Sequence, residues 1–394
     1  MIEEKLSYDD ISIVPERVTT IRHRRECNPL DENGMLPIFT APMSSVVSLD
    51  NWKKFNNNAI NVVIPRNIPL EKRVEFMFAH ATDEAKIEWQ MRPFVAFSLT
   101  EAQDIFVNSD RTYKSILLPW KQKGYNRVIR ICIDIANGHM NELLDTIKKI
   151  KDKFGNLVLV MSGNIANPET YRRYEKAGCD YVRCCIGTGK GCLTASNVGV
   201  YYPAFSLIQE IWKIKKEIGG KCKIIADGGI DCFRNIQKAL LYADYVMIGG
   251  LFNQMIESAA PAKYECFYKV HKDGSKSIDR IKTFFNRNRV ICPQEYHKVV
   301  EMIRDGKCKV VKSFYGMSTK KAQKEIADAN GIGCKLLKTS EGKVITQEVL
   351  YDIPGWVDNE ISYLVSAMSY TNSKNLEEYK DSEWVKIKDI KYNK

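Results

Sequence analysis

Histidine is scarce in this 394-residue chain: His23, His80, His139, His271 and His297 are the only ones, and none falls in an HExxH or finger spacing. The twelve cysteines include no CxxC pair. A structural or catalytic zinc centre is therefore not signalled, because zinc needs such ligands at short, fixed separations. No apolar run approaches the roughly 18 residues needed to span a bilayer. The opening Met1-Ile2-Glu3-Glu4-Lys5 lacks the basic-then-apolar order of a secretion leader. Without a leader, the scattered cysteines read as free thiols in a reducing cytoplasm and not as a disulfide framework. There is also no internal repeat and no low-complexity linker. The simplest division is one elaborated domain over residues 1–394.

Charge is present in excess but unevenly. The chain carries a net +11, and residues 263–312 hold 13 Lys and Arg against 6 Asp and Glu, a local +7. A basic element beside a nearly balanced body argues for a basic surface patch, not a wholly basic binding face. Anionic small molecules or plain solvation explain the patch as well as nucleic acid does. No RNA-recognition or helix-turn-helix signature accompanies it, so a nucleic-acid partner is not favoured.

Eight short apolar runs recur with helical stretches between them, at Pro37–Thr40, Asn61–Ile64, Phe94–Phe97, Val128–Ile133, Leu157–Val160, Tyr181–Cys184, Lys223–Ala226 and Tyr245–Ile248. Intervening segments such as Asn141–Phe154 and Pro168–Ala177 carry apolar residues at helical spacing and are too long for hairpins. Nearly continuous apolar strands alternating with helices predict a buried parallel sheet, and eight of them predict closure into a (β/α)8 TIM barrel. Chemistry in such a barrel sits at the carboxyl ends of the strands. Those ends are polar or glycine-rich here: Asp134-Ile135-Ala136-Asn137-Gly138, Ser162-Gly163-Asn164, Asp227-Gly228-Gly229 and Gly249-Gly250. Glycine loops after the seventh and eighth strands match the phosphate site of this fold. Residues 263–304, with Tyr264, Phe267, Tyr268, Phe284 and Phe285, read as a basic insertion after the eighth strand. Its aromatics are expected to pack on the barrel from a hairpin or helical excursion.

The most informative stretch follows the sixth run: Ile186-Gly187-Thr188-Gly189-Lys190-Gly191-Cys192-Leu193-Thr194. Three glycines in five positions let the backbone take positive φ and approach a ligand closely. Cys192 and Thr194 then stand two residues apart, near enough to act on one substrate atom. A flexible loop with a structural thiol is the alternative reading of this stretch alone.

Taken together these motifs resemble the family of IMP dehydrogenases and GMP reductases. The resemblance runs in order through Leu6–Ile11, Ala41-Pro42-Met43, Asp134–Gly138, Gly163-Asn164, the Cys192 loop with Gly199-Val200 and Pro203, Asp227-Gly228-Gly229, Gly249-Gly250 and Tyr315-Gly316-Met317-Ser318. It implies that Cys192 attacks C2 of a purine nucleotide while a hydride moves between that carbon and a nicotinamide. Gly228, Gly229, Gly249 and Gly250 would cradle the phosphate and Asp227 would accept from the ribose. Tyr315, Gly316, Met317 and Ser318 would contact the nucleotide, and Asp134, Asn137 and Gly138 would face the nicotinamide cofactor. Carbonyls of Gly187, Gly189 and Cys192 could hold potassium, and a homotetramer is the usual assembly.

Two features point to the reductase branch. The dehydrogenase branch activates water with an arginine beyond the Gly-Met motif, and Arg304 is the last arginine here. The reductase branch pairs a threonine two residues past the cysteine with the glutamate of a Ser-Glu-Gly-Lys motif. Thr194 and Ser340-Glu341-Gly342-Lys343 supply both. The chain departs from the family pattern at Ser44-Ser45, Lys190-Gly191 and Ser258–Pro261. The expected activity is NADPH-dependent reductive deamination of GMP to IMP. The alternatives are an IMP dehydrogenase-like oxidoreductase, a nucleotide-binding protein without turnover and a flavin-dependent barrel enzyme.

Overall fold

The computed structural model describes residues 4–83, 93–109, 127–331 and 340–388. The opening Met1-Ile2-Glu3 lies outside them. Eight parallel strands form the centre: β1 (Ile38–Thr40), β2 (Val63–Ile64), β3 (Phe94–Phe97), β4 (Arg127–Asp134), β5 (Val158–Ile165), β6 (Tyr181–Cys184), β7 (Lys223–Asp227) and β8 (Tyr245–Ile248). Neighbours pair in chain order from β2 to β8, and β8 pairs with β1. The ring is completed by a parallel bridge between Phe39 and Asn61, with Thr40 N donating to Asn61 O at 2.9 Å and Val63 N to Thr40 Oγ1 at 3.0 Å. This is the expected (β/α)8 barrel, and all eight strands fall on the eight apolar runs.

Continuous apolar sequence is what burial on both faces requires. One face fills the barrel: Phe39, Val63, Phe94, Cys132, Met161, Ile225, Tyr245 and Met247 form a core of their own. Phe39 meets Phe94 and Tyr245 edge-on at 5.7 and 5.1 Å between ring centres, so aromatic rings plug the barrel. The other face packs on the surrounding helices. In Asn141–Phe154 the residues Leu143, Leu144, Ile147, Ile150 and Phe154 are buried, one helical stripe, and the helix ends where Gly155 takes φ +55°. No helix among the described residues is long and apolar enough to cross a membrane. The eleven described cysteines are free.

After β8 the chain builds a second, antiparallel sheet from β9 (Lys263–Val270), β10 (Lys276–Ile278), β11 (Cys308–Tyr315) and β12 (Val344–Glu348), in the order β10-β9-β11-β12. The basic segment therefore contributes a hairpin and helices, but its aromatics do not share one fate. Tyr264 and Phe267 pack with Val299, Val300, Cys308 and Val310 in a small core separate from the barrel. Phe284 and Phe285 stand in solvent, 81% and 76% exposed. The physical reason is β9, an inner strand whose one face needs its own cover. That cover comes from the helix Tyr296–Arg304, not from the barrel wall.

These surroundings set the cost of change. Phe267→Ala should lower stability by about 3 to 5 kcal/mol, as expected for a buried aromatic. Phe284→Ser and Phe285→Ser should stay within about 0.5 kcal/mol of the parent. Urea unfolding of the three variants checks this, and equal losses would show that the exposed pair is packed after all.

Candidate active site

The carboxyl ends of the barrel strands open into a cavity of about 470 Å³, within the size range of small-molecule sites. Its reactive wall is the loop after β6. Cys192 Sγ donates to Thr194 Oγ1 at 3.3 Å, and Thr194 Oγ1 donates to Glu341 Oε2 at 2.9 Å. Two residues from the loop and one from far along the chain thus form a continuous hydrogen-bonded line.

Backbone pairing makes that line possible. Cys192 and Gly342 form an antiparallel bridge, with Leu193 N donating to Glu341 O at 2.7 Å and Lys343 N to Gly191 O at 3.0 Å. Gly342 is glycine for a steric reason: a Cβ there would lie 2.8 Å from Thr319 Cγ2 and 3.0 Å from Ser318 Oγ. The Ser-Glu-Gly-Lys segment is therefore pressed between the cysteine loop and the turn after β11.

The four glycines expected at a phosphate all line the cavity. Gly228 has φ +136° and a Cβ there would fall 2.1 Å from Thr188 Oγ1, while one on Gly249 would fall 2.7 Å from Met43 Sδ. Gly187, Gly189, Gly316, Met317 and Ser318 line it as well. Tyr315 does not. Its hydroxyl donates to Glu325 Oε1 at 2.8 Å, which turns the side chain away into the contact with the helix Lys320–Ala329.

The expected cofactor residues also divide. Asp134 lines the cavity, but Asn137 and Gly138 do not. Asn137 Oδ1 accepts from His139 N at 3.1 Å, and Gly138 is packed where a Cβ would lie 2.6 Å from Asn164 O. Gly138 N donates to Asn164 O at 2.9 Å, which ties the loop after β4 to the end of β5. The Gly189 carbonyl, one of the three expected at a potassium ion, accepts the Cys192 N–H at 2.9 Å.

The floor of the cavity is a row of buried charges that composition did not reveal. Arg183, on β6, donates to Asp134 Oδ1 at 2.6 Å and through Nε to Asp227 Oδ2 at 2.9 Å. Arg66, after β2, pairs with Asp134 Oδ2 at 3.2 Å, and Asn164 Nδ2 donates to Asp227 Oδ2 at 2.8 Å. Burial pushes the Asp134 carboxyl up, but the Arg183 and Arg66 guanidiniums outweigh it and hold it below the usual carboxylate range. Neither arginine carried a sequence signal: one charge inside an apolar strand, or one after a strand, belongs to no pattern.

Arg183 therefore gives a signed pH prediction. A carboxyl whose folded pKa is depressed stabilises the fold above its unfolded pKa of about 3.9, and that stability is lost as pH falls through the folded value. Arg183→Gln leaves only Arg66, 3.2 Å away, to oppose burial, so the folded pKa rises; once above the unfolded value, it makes the stability present at low pH and lost as pH increases. The parent melting temperature should hold nearly level between about pH 5 and pH 8 while that of the variant declines, with a loss near neutrality of about 3 to 5 kcal/mol. A variant that melts with the parent's pH profile would show that Arg183 does not hold the Asp134 carboxyl.

Known proteins are similar to this chain along its length. A GMP reductase from Vibrio campbellii is 25% identical over 407 residues, covering 99% of this chain and 97% of its own length. One from Shewanella pealeana is 27% identical over 404 residues, covering 99% and 96%. One from Pediococcus pentosaceus is 29% identical over 263 residues, covering 66% and 74%. The family model for the IMP dehydrogenase / GMP reductase domain matches residues 5–290, which include the barrel and the cysteine loop. With a match over most of its length and relatives aligned from end to end, the chain belongs to the IMP dehydrogenase / GMP reductase family of oxidoreductases.

Proposed function

We propose that the protein is a GMP reductase, converting GMP to IMP and ammonia with NADPH through a purine joined to Cys192. The observation that carries the reading is the hydrogen-bonded line from Cys192 through Thr194 to Glu341. Loss of ammonia from C2 requires a nucleophile at the carbon and a proton for the departing nitrogen. The line supplies both at one place.

In this reading the Cys192 sulfur forms a bond to C2, the C2–N bond breaks, and the nitrogen leaves as ammonia. The proton it needs is passed by Thr194 from Glu341, a carboxyl group within hydrogen-bond reach of the hydroxyl. A bound NADPH would supply a hydride to C2, on which the C2–S bond breaks, Cys192 leaves as the thiolate and IMP is freed; the cavity wall of Asp134, Ile135 and Ala136 is where the chain would receive the cofactor. Asp134, held ionised by Arg183 and Arg66, presents a fixed negative charge there. Gly228, Gly229, Gly249 and Gly250 leave backbone open to the phosphate, and Asp227 keeps its Oδ1 without a protein donor among the described residues, available to a ribose hydroxyl. No step needs potassium.

A dehydrogenase reading asks for a group that activates water beyond the Gly-Met motif. The only candidate of the expected kind, arginine, stops at Arg304, whose guanidinium is paired with Asp352 at 3.2 Å. GMP with NADPH should therefore oxidise the cofactor, while IMP with NAD should give little or no XMP. Robust XMP formation would reverse the choice of branch.

Two variants test the residues. Cys192→Ala should lower kcat by about a thousandfold or more while GMP still binds, since the phosphate and ribose contacts come from other loops. Glu341→Gln should lower it by about a hundredfold to ten-thousandfold because an amide cannot pass the proton. Near-parental turnover in the first would remove the covalent step, and in the second would remove Glu341 from the mechanism.

A further inference from the structure

Several buried side chains among the described residues keep a nitrogen or oxygen without a hydrogen-bond partner, and Gln347 stands apart from the rest. Both Oε1 and Nε2 of this amide are unpartnered, the residue is only 5% exposed, and it lines the cavity. The other residues with such atoms do not line it. An amide left dry in this way opposes folding, because it gives up water and receives nothing in return.

Its neighbours do not supply the missing bonds. Gln347 lies opposite Lys312 across β11 and β12, so the two side chains share a face. Lys312 Nζ is already committed to Ile256 O, Ser258 O and Ser258 Oγ, each at 2.8 Å. The amide reaches instead toward the end of β8, where Nε2 lies 3.7 Å from the point a Cβ on Gly250 would occupy. Gly250 has no side chain to fill the gap. The group that a barrel of this kind receives in the loops after its seventh and eighth strands is a phosphate. A phosphate monoester is rich in acceptors, and a primary amide offers two N–H donors.

We propose that Gln347 is a ligand-binding residue whose Nε2 donates to the phosphate monoester of the nucleotide seated over Gly249 and Gly250. The inference rests on the proposed function only in taking the ligand to be a phosphate ester, and it is independent of the base and of the reaction. The unpartnered Oε1 takes a water carried in with the phosphate. The amide is thus a group whose cost is borne by the free protein and relieved by the ligand. Replacing it with an apolar side chain should weaken phosphate binding without weakening the fold, whereas a purely structural glutamine would do the reverse.

The test uses the full chain and its Gln347→Leu and Gln347→Glu variants, with ribose 5-phosphate, GMP and guanosine as probes in equilibrium binding, and thermal melts without ligand. Gln347→Leu should melt at or above the parent temperature and bind ribose 5-phosphate and GMP about tenfold to a hundredfold more weakly, the range for losing a hydrogen bond to a charged group. Guanosine, which has no phosphate, should bind comparably to both. Gln347→Glu should lose more, since it sets an anion against an anion. Should leucine prove too short to fold, Gln347→Met, closer in length, replaces it in the same measurements. Unchanged affinity for ribose 5-phosphate, an equal loss for guanosine, or a melt well below the parent in both apolar variants would each overturn the proposal. A parent that binds ribose 5-phosphate through Gln347 yet does not turn over GMP would overturn the proposed function and leave this inference standing.

Discussion

Two backbone hydrogen bonds, Leu193 N to Glu341 O and Lys343 N to Gly191 O, decide whether this site exists. They join the loop after β6 to a segment 147 residues further along the chain, measured from Thr194 to Glu341. Closing so long a loop has an entropic cost that grows only slowly with length, but it must still be met by contacts elsewhere. The second sheet meets it. β12 begins at Val344, directly after the bonded Lys343, and pairs with β11 over five residue pairs from Val311–Glu348 to Tyr315–Val344. β11 in turn is held by β9 on its other edge. The sheet outside the barrel is therefore what fixes the position of Glu341 relative to Cys192.

The buried charges below that loop follow a different logic. Arg66, Asp134, Arg183 and Asp227 alternate in sign along the cavity floor, with 8% exposure for the Arg183 side chain and 11% for that of Asp134. Desolvating four ions costs more than their attraction returns in a typical core, so such a row is poor evidence of added stability. Its value lies in orientation. Each carboxylate is fixed by a guanidinium, so no reorganisation is needed when a polar ligand arrives.

Most of the framework was legible in the sequence, and the reason differs between its parts. Strands buried on both faces must be apolar throughout, so Val128–Ile133 or Tyr245–Ile248 announce themselves without any partner being known. The glycine loop was legible because Gly187 and Gly228 occupy backbone conformations or close approaches that other residues reject. Arg183 and Gln347 were not legible, since each is a single polar residue in an apolar or alternating strand and only the opposite wall of the cavity gives it meaning. Tyr315 stands off the cavity for a related reason: Phe314 before it in β11 lines the cavity, and successive residues of a strand point to opposite faces. The insertion misled differently. Ile281, Phe284 and Phe285 have the spacing of a buried helical stripe, yet all three are at least 70% exposed, because periodicity marks a face without saying whether anything covers it.

The relay itself sits between these two regimes. The Thr194–Glu341 hydrogen bond is solvent-exposed, where water competes and the bond contributes little to holding the loop in place. The backbone bridge beneath it does the holding, so the side chains need not be strong to be aligned. A purine laid across the cavity would displace that water, and the same two bonds would then act in a medium of lower polarity, where they are stronger. In the proposed reaction, proton transfer would thereby be confined to the occupied site: the alignment is built into the fold, and the strength would arrive with the substrate.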